Sequence, residues 1–287
     1  MTQPSSRATS FRTHALLLHT LVVGAALFQT AFAQTPAGGP TGPSDKAPAT
    51  VSPQGPATAS PTASATVERD AAVLDRIKQM SAYLRTLKSF AVTAQTTTDE
   101  VLDSGQKIQF GGAVDYRYAS PDKLRSRVRS DRVWRDFYFD GKTLTQVAPR
   151  MNYYASVPVD GTVNQLVTRL ANEYDIKMPL ADLFMWGTDE SGIDEVVGAA
   201  RIGPARIGSV DCDHFAMRQA GVDWQIWIQM GSQPLPRKLV ITTTDQSQQP
   251  QYAAVMSWNL NVRTSPSEFR YKPPQGAVKI ALKKTTN

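Results

Sequence analysis

Cysteine and histidine are scarce in this chain, and their scarcity excludes two kinds of site. Among 287 residues there is one cysteine, Cys212, and two of the three histidines, His14 and His19, lie near the N-terminus. A single cysteine excludes an intrachain disulfide framework. Once the N-terminal segment is removed, as argued below, His214 and Cys212 alone remain. They are too few for a His/Cys metal site of three or four ligands.

Motifs for cofactors and nucleic acids are also missing. The chain has no phosphate loop, dinucleotide fingerprint, calcium loop or H-E-x-x-H sequence, so we expect no cofactor. Removal of Arg7 and Arg12 with the N-terminal segment leaves 29 basic against 25 acidic residues. This mild excess, without a recognisable binding module, gives no ground for expecting nucleic acid.

The N-terminal residues 1–33 are typical of a secretory signal peptide. Arg7 and Arg12 precede an uncharged run over 15–28, and Ala31-Phe32-Ala33 offers small residues at the cleavage positions. The alternative is a membrane anchor, but the run is shorter than the roughly 20 apolar residues that span a bilayer. No second run of spanning length follows. We therefore expect cleavage after Ala33, export, and no transmembrane segment in the mature protein.

Residues 34–66 change in composition. They contain seven prolines and four glycines, no aromatic residue, and Val51 as the only large aliphatic side chain. Such a segment cannot bury enough apolar surface to offset the entropy cost of ordering it, so it is predicted to be a disordered linker. No second linker of this kind interrupts the remainder, and residues 67–287 are predicted to form one domain.

The predicted fold class is α+β with a large antiparallel sheet. Apolar residues at steps of three and four indicate a first helix from Val67 to Lys88. After Ser89 the period becomes two, and turn sequences such as Asp140-Gly141 separate short strands. Two helices are expected between the β-rich halves, one capped at Asp160 or Thr162 and one opened by Pro179. Gly203-Pro204 is expected to form a turn between two strand ends.

Aromatic residues are plentiful in the β-rich segments. Their simplest role is in the core, and the sharper hypothesis is that they line a cavity. On one strand Trp224 and Trp227 face opposite ways, as in a sheet that is covered on both sides or lines a cavity. The set comprises Tyr116, Tyr118, Trp134, Phe137, Phe139, Trp186, Trp224, Trp227 and Trp258.

Four cations alternate with other residues along one predicted strand. Lys123, Arg125, Arg127 and Arg129 therefore share one face. The simpler interpretation is a solvated outer face of a half-buried sheet. The alternative is a patch for anionic partners such as lipid head groups, where each basic residue adds about 1 kcal/mol.

His214 is the one histidine near carboxylates, between Asp213 and Phe215 and close to Asp211. A hydrolase of the Ser-His-Asp type would require a nucleophile, and no G-x-S-x-G sequence occurs. The simpler interpretation is the end of a strand, with Cys212 a small buried hydrophobic residue.

The order of these landmarks resembles the DUF2092 family of predicted periplasmic proteins, itself similar to the LolA/LolB/LppX-like lipoprotein carriers. The likeness covers about residues 70–284. It is carried by Phe137–Leu144 (FYFDGKTL), Tyr153-Tyr154, Pro179–Leu183 (PLADL), Trp227-Ile228 before Leu235–Leu239 (LPRKL), and Phe269 with Lys272-Pro273-Pro274.

This resemblance implies a strongly curved, unclosed half-barrel whose concave face is covered by helices and encloses an apolar cavity. It also implies a periplasmic, non-enzymatic protein that binds a lipid or acylated ligand. Helix residues Leu166, Leu170, Leu183 and Phe184 join the aromatic set above as candidate cavity and lid residues. Two alternatives stay open: an envelope sensor that binds another periplasmic protein, and a hydrolase that uses His214.

Overall fold

The computed structural model describes residues 68–189 and 191–285. The predicted signal peptide and the predicted linker lie outside these residues. Within them, no helix combines the length and the apolar character needed to cross a bilayer.

Helix α1 (Ala71–Thr86) begins the described fold. The side chain of Asp70 caps it by accepting a 2.8 Å hydrogen bond from the backbone N–H of Ala72. Its buried stripe includes Ile77, Met80 and Leu84, which follow the spacing seen in the sequence. The predicted helix is confirmed, and it is shorter than expected at both ends because Asp70 caps its start and the backbone becomes extended at Leu87.

Twelve strands form one sheet. The first six are β1 (Ser89–Val101), β2 (Lys107–Ala119), β3 (Lys123–Ser130), β4 (Trp134–Phe139), β5 (Thr143–Ala148) and β6 (Tyr153–Pro158). The second six are β7 (Gly198–Ile207), β8 (Val210–Gln219), β9 (Val222–Gln229), β10 (Pro236–Thr243), β11 (Gln251–Asn259) and β12 (Val278–Lys279). The order across the sheet is β12-β6-β5-β4-β3-β2-β1-β11-β10-β9-β8-β7.

Neighbouring strands are antiparallel except for the short β12, which runs parallel to β6. The two halves join where β1 pairs with β11. The end strands β12 and β7 do not pair with each other, so the sheet is unclosed. The predicted α+β class, with one large unclosed sheet and a few helices, is confirmed.

Two further helices follow β6. Helix α2 (Val163–Tyr174) starts at Thr162, which forms a capping box with Gln165. The second is the single turn α3 (Asp182–Met185). Pro179 precedes α3 by three residues and does not open it, because Leu180 adopts a left-handed backbone with φ of 57°. We call the described residues of 163–197 the lid.

Strand β7 runs through Gly203-Pro204, so the predicted turn there is wrong. The strand absorbs Gly203 and Pro204 by a register shift between Arg201 and Gly203, where it bulges against β8. The turn lies instead at Gly208-Ser209. Pro204 is tolerated because β7 is an edge strand, where a missing N–H breaks no ladder hydrogen bond.

One continuous core lies on the concave face of the sheet, between the strands and the three helices. The opposite, convex face is covered in part by the segment after β11. There Arg270 pairs with Asp140 at 2.9 Å, and the Tyr271 ring lies 5.5 Å from the ring of Tyr138. On the convex face of β8–β10 a smaller cluster contains Cys212, Trp227 and Val240.

Candidate functional site

The lid packs into the concave face and forms the candidate site with it. From the lid, Leu166, Leu170, Leu183 and Trp186 are buried in the main core. Every second side chain of a strand faces the concave side, and these side chains pack against the lid residues. The predicted residues Tyr116, Phe137, Phe139 and Trp224 are buried there, while Tyr118 and Trp258 are partly buried against the same core.

Phe184 of α3 inserts into a group of aromatic rings on the sheet. Its ring is 5.4 Å from that of Tyr116 in an edge-to-face arrangement and 5.7 Å from that of Tyr118. Phe90 extends the group, 4.9 Å from Tyr118 and 5.1 Å from the ring of Trp258. Contacts of this geometry are each worth about 0.5–1.5 kcal/mol beyond the area they bury. Phe90 was missed from the sequence because it stands at the start of β1, away from the aromatic runs.

Side chains of the sheet reach the backbone of the lid at two places. The phenol of Tyr116 donates a hydrogen bond to the carbonyl oxygen of Pro179. Farther along the sheet, Trp224 Nε1 donates to Gln219 Oε1 at 2.7 Å, and Gln219 Nε2 donates to the carbonyl oxygen of Gly192 at 3.1 Å. Gln219 is buried, so each of these bonds satisfies a group that would otherwise be unpaired.

The polar groups beneath the lid are incompletely satisfied. Tyr252 is buried, and its hydroxyl has no hydrogen-bond partner among the described residues. Asp182 lies within electrostatic reach of Tyr252 and Tyr116, and burial raises the pKa of its carboxyl to about 6. A buried hydroxyl without a partner costs about 1–3 kcal/mol. The lid therefore covers polar groups that the described residues do not fully satisfy.

A small pocket marks the seam between α1 and the lid. Its volume is about 180 Å³, and its walls include Ile77 and Ser81 from α1 and Trp186 and Ile193 from the lid. Ligand sites for drug-sized molecules usually measure about 300–1,000 Å³. The pocket at this seam is thus too small for a lipid while the lid is in place.

Two of the predicted cavity residues lie on the face of the sheet opposite to the lid. Trp134 and Trp227 are on the convex side, because their positions on β4 and β9 have the opposite parity to Phe137 and Trp224. Trp134 is 38% exposed beneath the guanidinium of Arg129. Trp227 stacks on His214 with 3.9 Å between ring centroids, and the Lys238 ammonium lies 4.6 Å from the same ring.

The four cations of β3 share the convex face, and three of them have local partners. Lys123 pairs with Asp122 at 2.9 Å, and Arg129 pairs with Asp136 at 2.7 Å. Arg125 lies over the ring of Tyr138 at 5.6 Å. Arg127 is exposed and enters no ion pair among the described residues. Two of the four charges are therefore neutralised within the fold and a third lies over an aromatic ring, which favours the simpler of the two interpretations of the row.

The carboxylates near His214 are engaged elsewhere. Asp211 pairs with Arg206 and Asp213 pairs with Arg201, while His214 Nε2 lies 3.0 Å from Gln225 Oε1. Burial, with a contribution from Lys238, lowers the pKa of His214. No carboxylate therefore orients the imidazole as a catalytic base requires. Among the described residues there is also no group of three or more His, Cys, Asp or Glu placed to bind a metal ion.

A family model described as "Predicted periplasmic protein (DUF2092)" matches residues 74–283. The chain belongs to the DUF2092 family. The family expected from the sequence is thus confirmed. No curated protein matches the chain.

Several solved structures resemble this DUF2092 protein. The lipoprotein LppX of Mycobacterium tuberculosis is 14% identical, with 68% of this chain and all of LppX covered and a TM-score of 0.44. LprF of Mycobacterium bovis is 11% identical, with 69% and 98% covered and a TM-score of 0.42. The LolA superfamily protein NE2245 of Nitrosomonas europaea is 9% identical, with 69% and 97% covered and a TM-score of 0.31. Likenesses this remote say nothing about a ligand.

Proposed function

We propose that this DUF2092 protein is a periplasmic, non-enzymatic protein that binds an amphiphile, with its acyl chain held between the half-barrel and the lid. The observation that carries the proposal is the position of Phe184. Its side chain fills an aromatic recess of the concave face. Yet it belongs to a single helical turn, and the hydrogen bonds from Tyr116 and Gln219 reach the lid only on either side of that turn. A recess plugged by so short an element becomes an apolar site once that element moves.

Two features support a lid that opens. Leu180, directly before α3, has a left-handed backbone that a leucine adopts at a cost of about 1–2 kcal/mol. The unpaired hydroxyl of Tyr252 would gain a partner from the polar part of a ligand or from water. Both costs are present in the closed state, so opening relieves them.

The free energy for displacing the lid would come from the acyl chain. Each methylene that is buried contributes about 0.8 kcal/mol, so ten methylenes provide about 8 kcal/mol before ordering costs. This exceeds the roughly 0.5–1.5 kcal/mol that each polar connection of the lid is worth. The chain must also replace the packing of Phe184 and Leu183, which lowers the net affinity.

Native mass spectrometry of protein purified from the periplasm without detergent tests the proposal, together with extraction of bound lipid. We expect a bound mass that extraction identifies as a phospholipid or an acylated molecule. A clean apo mass, for protein that also fails to take up added lipid, would refute the proposal and direct the search to a periplasmic protein partner.

Variants sharpen the test. The double substitution Leu183→Ser and Trp186→Ser makes the lid side of the recess polar, and we expect it to lower acyl-chain affinity at least tenfold. Trp227→Ser is the matched control, because it removes a largely buried tryptophan from the convex face. Equal affinities for the folded double variant and for the control would exclude this lid as the binding site.

A further inference from the structure

Exposed hydrophobic side chains are concentrated at one corner of the sheet. The described residues include ten large hydrophobic side chains that are exposed, and five of them lie where β4 and β6 begin, β5 ends and β12 runs beside β6. We call these five the apolar corner: Trp134, Met151, Tyr153, Val278 and Ile280. Strand parity places Trp134 on the convex face and Tyr153, Val278 and Ile280 on the opposite face, so the corner is an end of the sheet that presents apolar side chains on both sides. Hydrophobic residues scattered singly over a surface require no explanation, but a concentration of them at one end of a sheet marks an interaction site.

The corner is held in place by backbone hydrogen bonds. Asn152 ends the turn after β5 in a left-handed conformation, and its carbonyl oxygen accepts from the N–H of Val278 at 3.0 Å. The N–H of Ile280 donates to the carbonyl oxygen of Tyr154 at 2.8 Å. Met151, with 58% of its surface exposed, is thus presented by a fixed turn.

Cations lie beside the Trp134 ring and between the two apolar residues at the end of the β12 segment. The guanidinium groups of Arg129 and Arg150 lie 4.4 and 5.7 Å from the centre of the Trp134 ring, and Lys279 stands between Val278 and Ile280. Arg129 is paired with Asp136, but Arg150 and Lys279 are exposed and form no ion pair among the residues that the structure describes. This end of the sheet therefore carries both apolar and positively charged side chains.

We propose that the apolar corner docks the protein on an anionic lipid bilayer. Tryptophan and tyrosine prefer the interface between water and hydrocarbon, and exposed aliphatic side chains enter the acyl boundary. Arginine and lysine beside them are attracted to anionic head groups. A protein partner would not require this combination, whereas a bilayer surface offers both a negative charge and an apolar layer beneath it.

Sedimentation with vesicles tests this docking on the mature full-length protein. We expect binding to vesicles that contain phosphatidylglycerol, weaker binding to vesicles of phosphatidylcholine alone, and loss of the difference at 0.5 M salt because salt screens the charges. Arg150→Ser with Lys279→Ser should weaken binding to the anionic vesicles about 30-fold, which corresponds to about 1 kcal/mol for each residue. Wild-type protein that sediments with neither vesicle would overturn the proposal.

Matched variants separate the corner from other surfaces. Met151→Ser should weaken vesicle binding, whereas Ile202→Ser, which removes a side chain of equal 58% exposure on β7, should not. Lys123→Ser with Arg127→Ser removes two cations of the β3 row and should have little effect. Equal effects of Met151→Ser and Ile202→Ser would refute the corner as the docking site. The docking does not rest on the acyl-chain site, because lipid extraction and vesicle sedimentation can fail independently.

Discussion

On the concave face of the sheet, side chains from both halves pack with three helices into one core, while the convex face carries separate small clusters and ion pairs. Strand β9 displays the difference within four residues. Trp224 faces the concave side, where its indole N–H reaches the lid through Gln219. Trp227 faces the convex side and stacks between His214 and Lys238. Tryptophan on the concave face is thus hydrogen-bonded to the lid through Gln219, whereas tryptophan on the convex face packs against neighbouring side chains of the sheet.

The largest expected effect comes from truncating these two tryptophans. Trp224→Ala should lower the free energy of unfolding by about 4 kcal/mol, because it opens a cavity in the main core and leaves Gln219 without its donor. Trp227→Ala should cost about 2 kcal/mol, because its buried cluster is much smaller than the main core. Urea unfolding measures both, and equal losses would contradict the division between the faces.

The next effect depends on pH. The carboxyl of Asp182 has its pKa raised by burial from 3.8 to about 6, so the folded protein retains this proton where the unfolded chain has released it. Stability is therefore lost as the pH rises between these values. Asp182→Asn removes that loss and should raise the free energy of unfolding by about 1–2 kcal/mol at pH 7.5, while at pH 3.5 it should change little.

Thermal unfolding of wild type and Asp182→Asn across pH 3.5 to 7.5 provides the measurement. Asp189→Asn, which neutralises an exposed carboxyl of the same lid, is the control. A gap between wild type and Asp182→Asn that stays constant over this range would show that the carboxyl does not titrate beneath the lid.

A smaller effect is expected at the bond between Tyr116 and the lid. Tyr116→Phe leaves the carbonyl of Pro179 without its donor, and it should make opening of the lid easier by about 1 kcal/mol, or about fivefold. Hydrogen exchange of the amides in residues 176–189 should accelerate accordingly. Tyr252→Phe is the matched comparison, because the hydroxyl that it removes has no hydrogen-bond partner in the described part of the chain, so its exchange should stay the same or become slower. Faster exchange in both variants would assign the effect to packing.

Much of the fold could be predicted from the sequence because local signals determine it. The period of two predicted β1–β6, and a cap at Asp160 or Thr162 predicted α2, which the structure begins after Thr162. The failed turn at Gly203-Pro204 has a physical reason, since an edge strand accepts both residues through a bulge. Whether such a pair ends a strand depends on its neighbours in the sheet, which the sequence does not reveal.

The candidate site was less predictable. The alternation of side chains along a strand could have removed Trp134 from the cavity set. It lies three residues before Phe137 on β4, and an odd spacing puts two side chains on opposite faces. The connection between Gln219 and Gly192 joins residues 27 positions apart and depends on how the lid folds back. Likewise, the position of Phe184 among the rings of Tyr116 and Tyr118 requires the turn at Leu180, for which leucine gives no signal.

The smallest expected effect concerns the C-terminal residues that follow Ile280 of the apolar corner. Lys284 pairs with Glu173 at 2.6 Å, and the N–H of Thr285 donates to the carbonyl oxygen of Glu173 at 2.9 Å. The hydrogen bond with Lys284, aided by Arg169, lowers the pKa of Glu173. Helix α2 of the lid is thereby joined to the segment that follows Ile280.

Glu173→Gln weakens this junction, and we expect trypsin to cleave after Lys283 or Lys284 sooner than in wild type, with no change in overall stability. Glu268→Gln is the control, because it breaks the pair with Arg117 on the convex face. If bilayer docking at the corner is transmitted to the lid, anionic vesicles should promote release of bound lipid from the wild type. Glu173→Gln should then reduce that release. Faster cleavage with unchanged lipid release would mean that the junction anchors the C-terminal segment without linking the apolar corner to the lid.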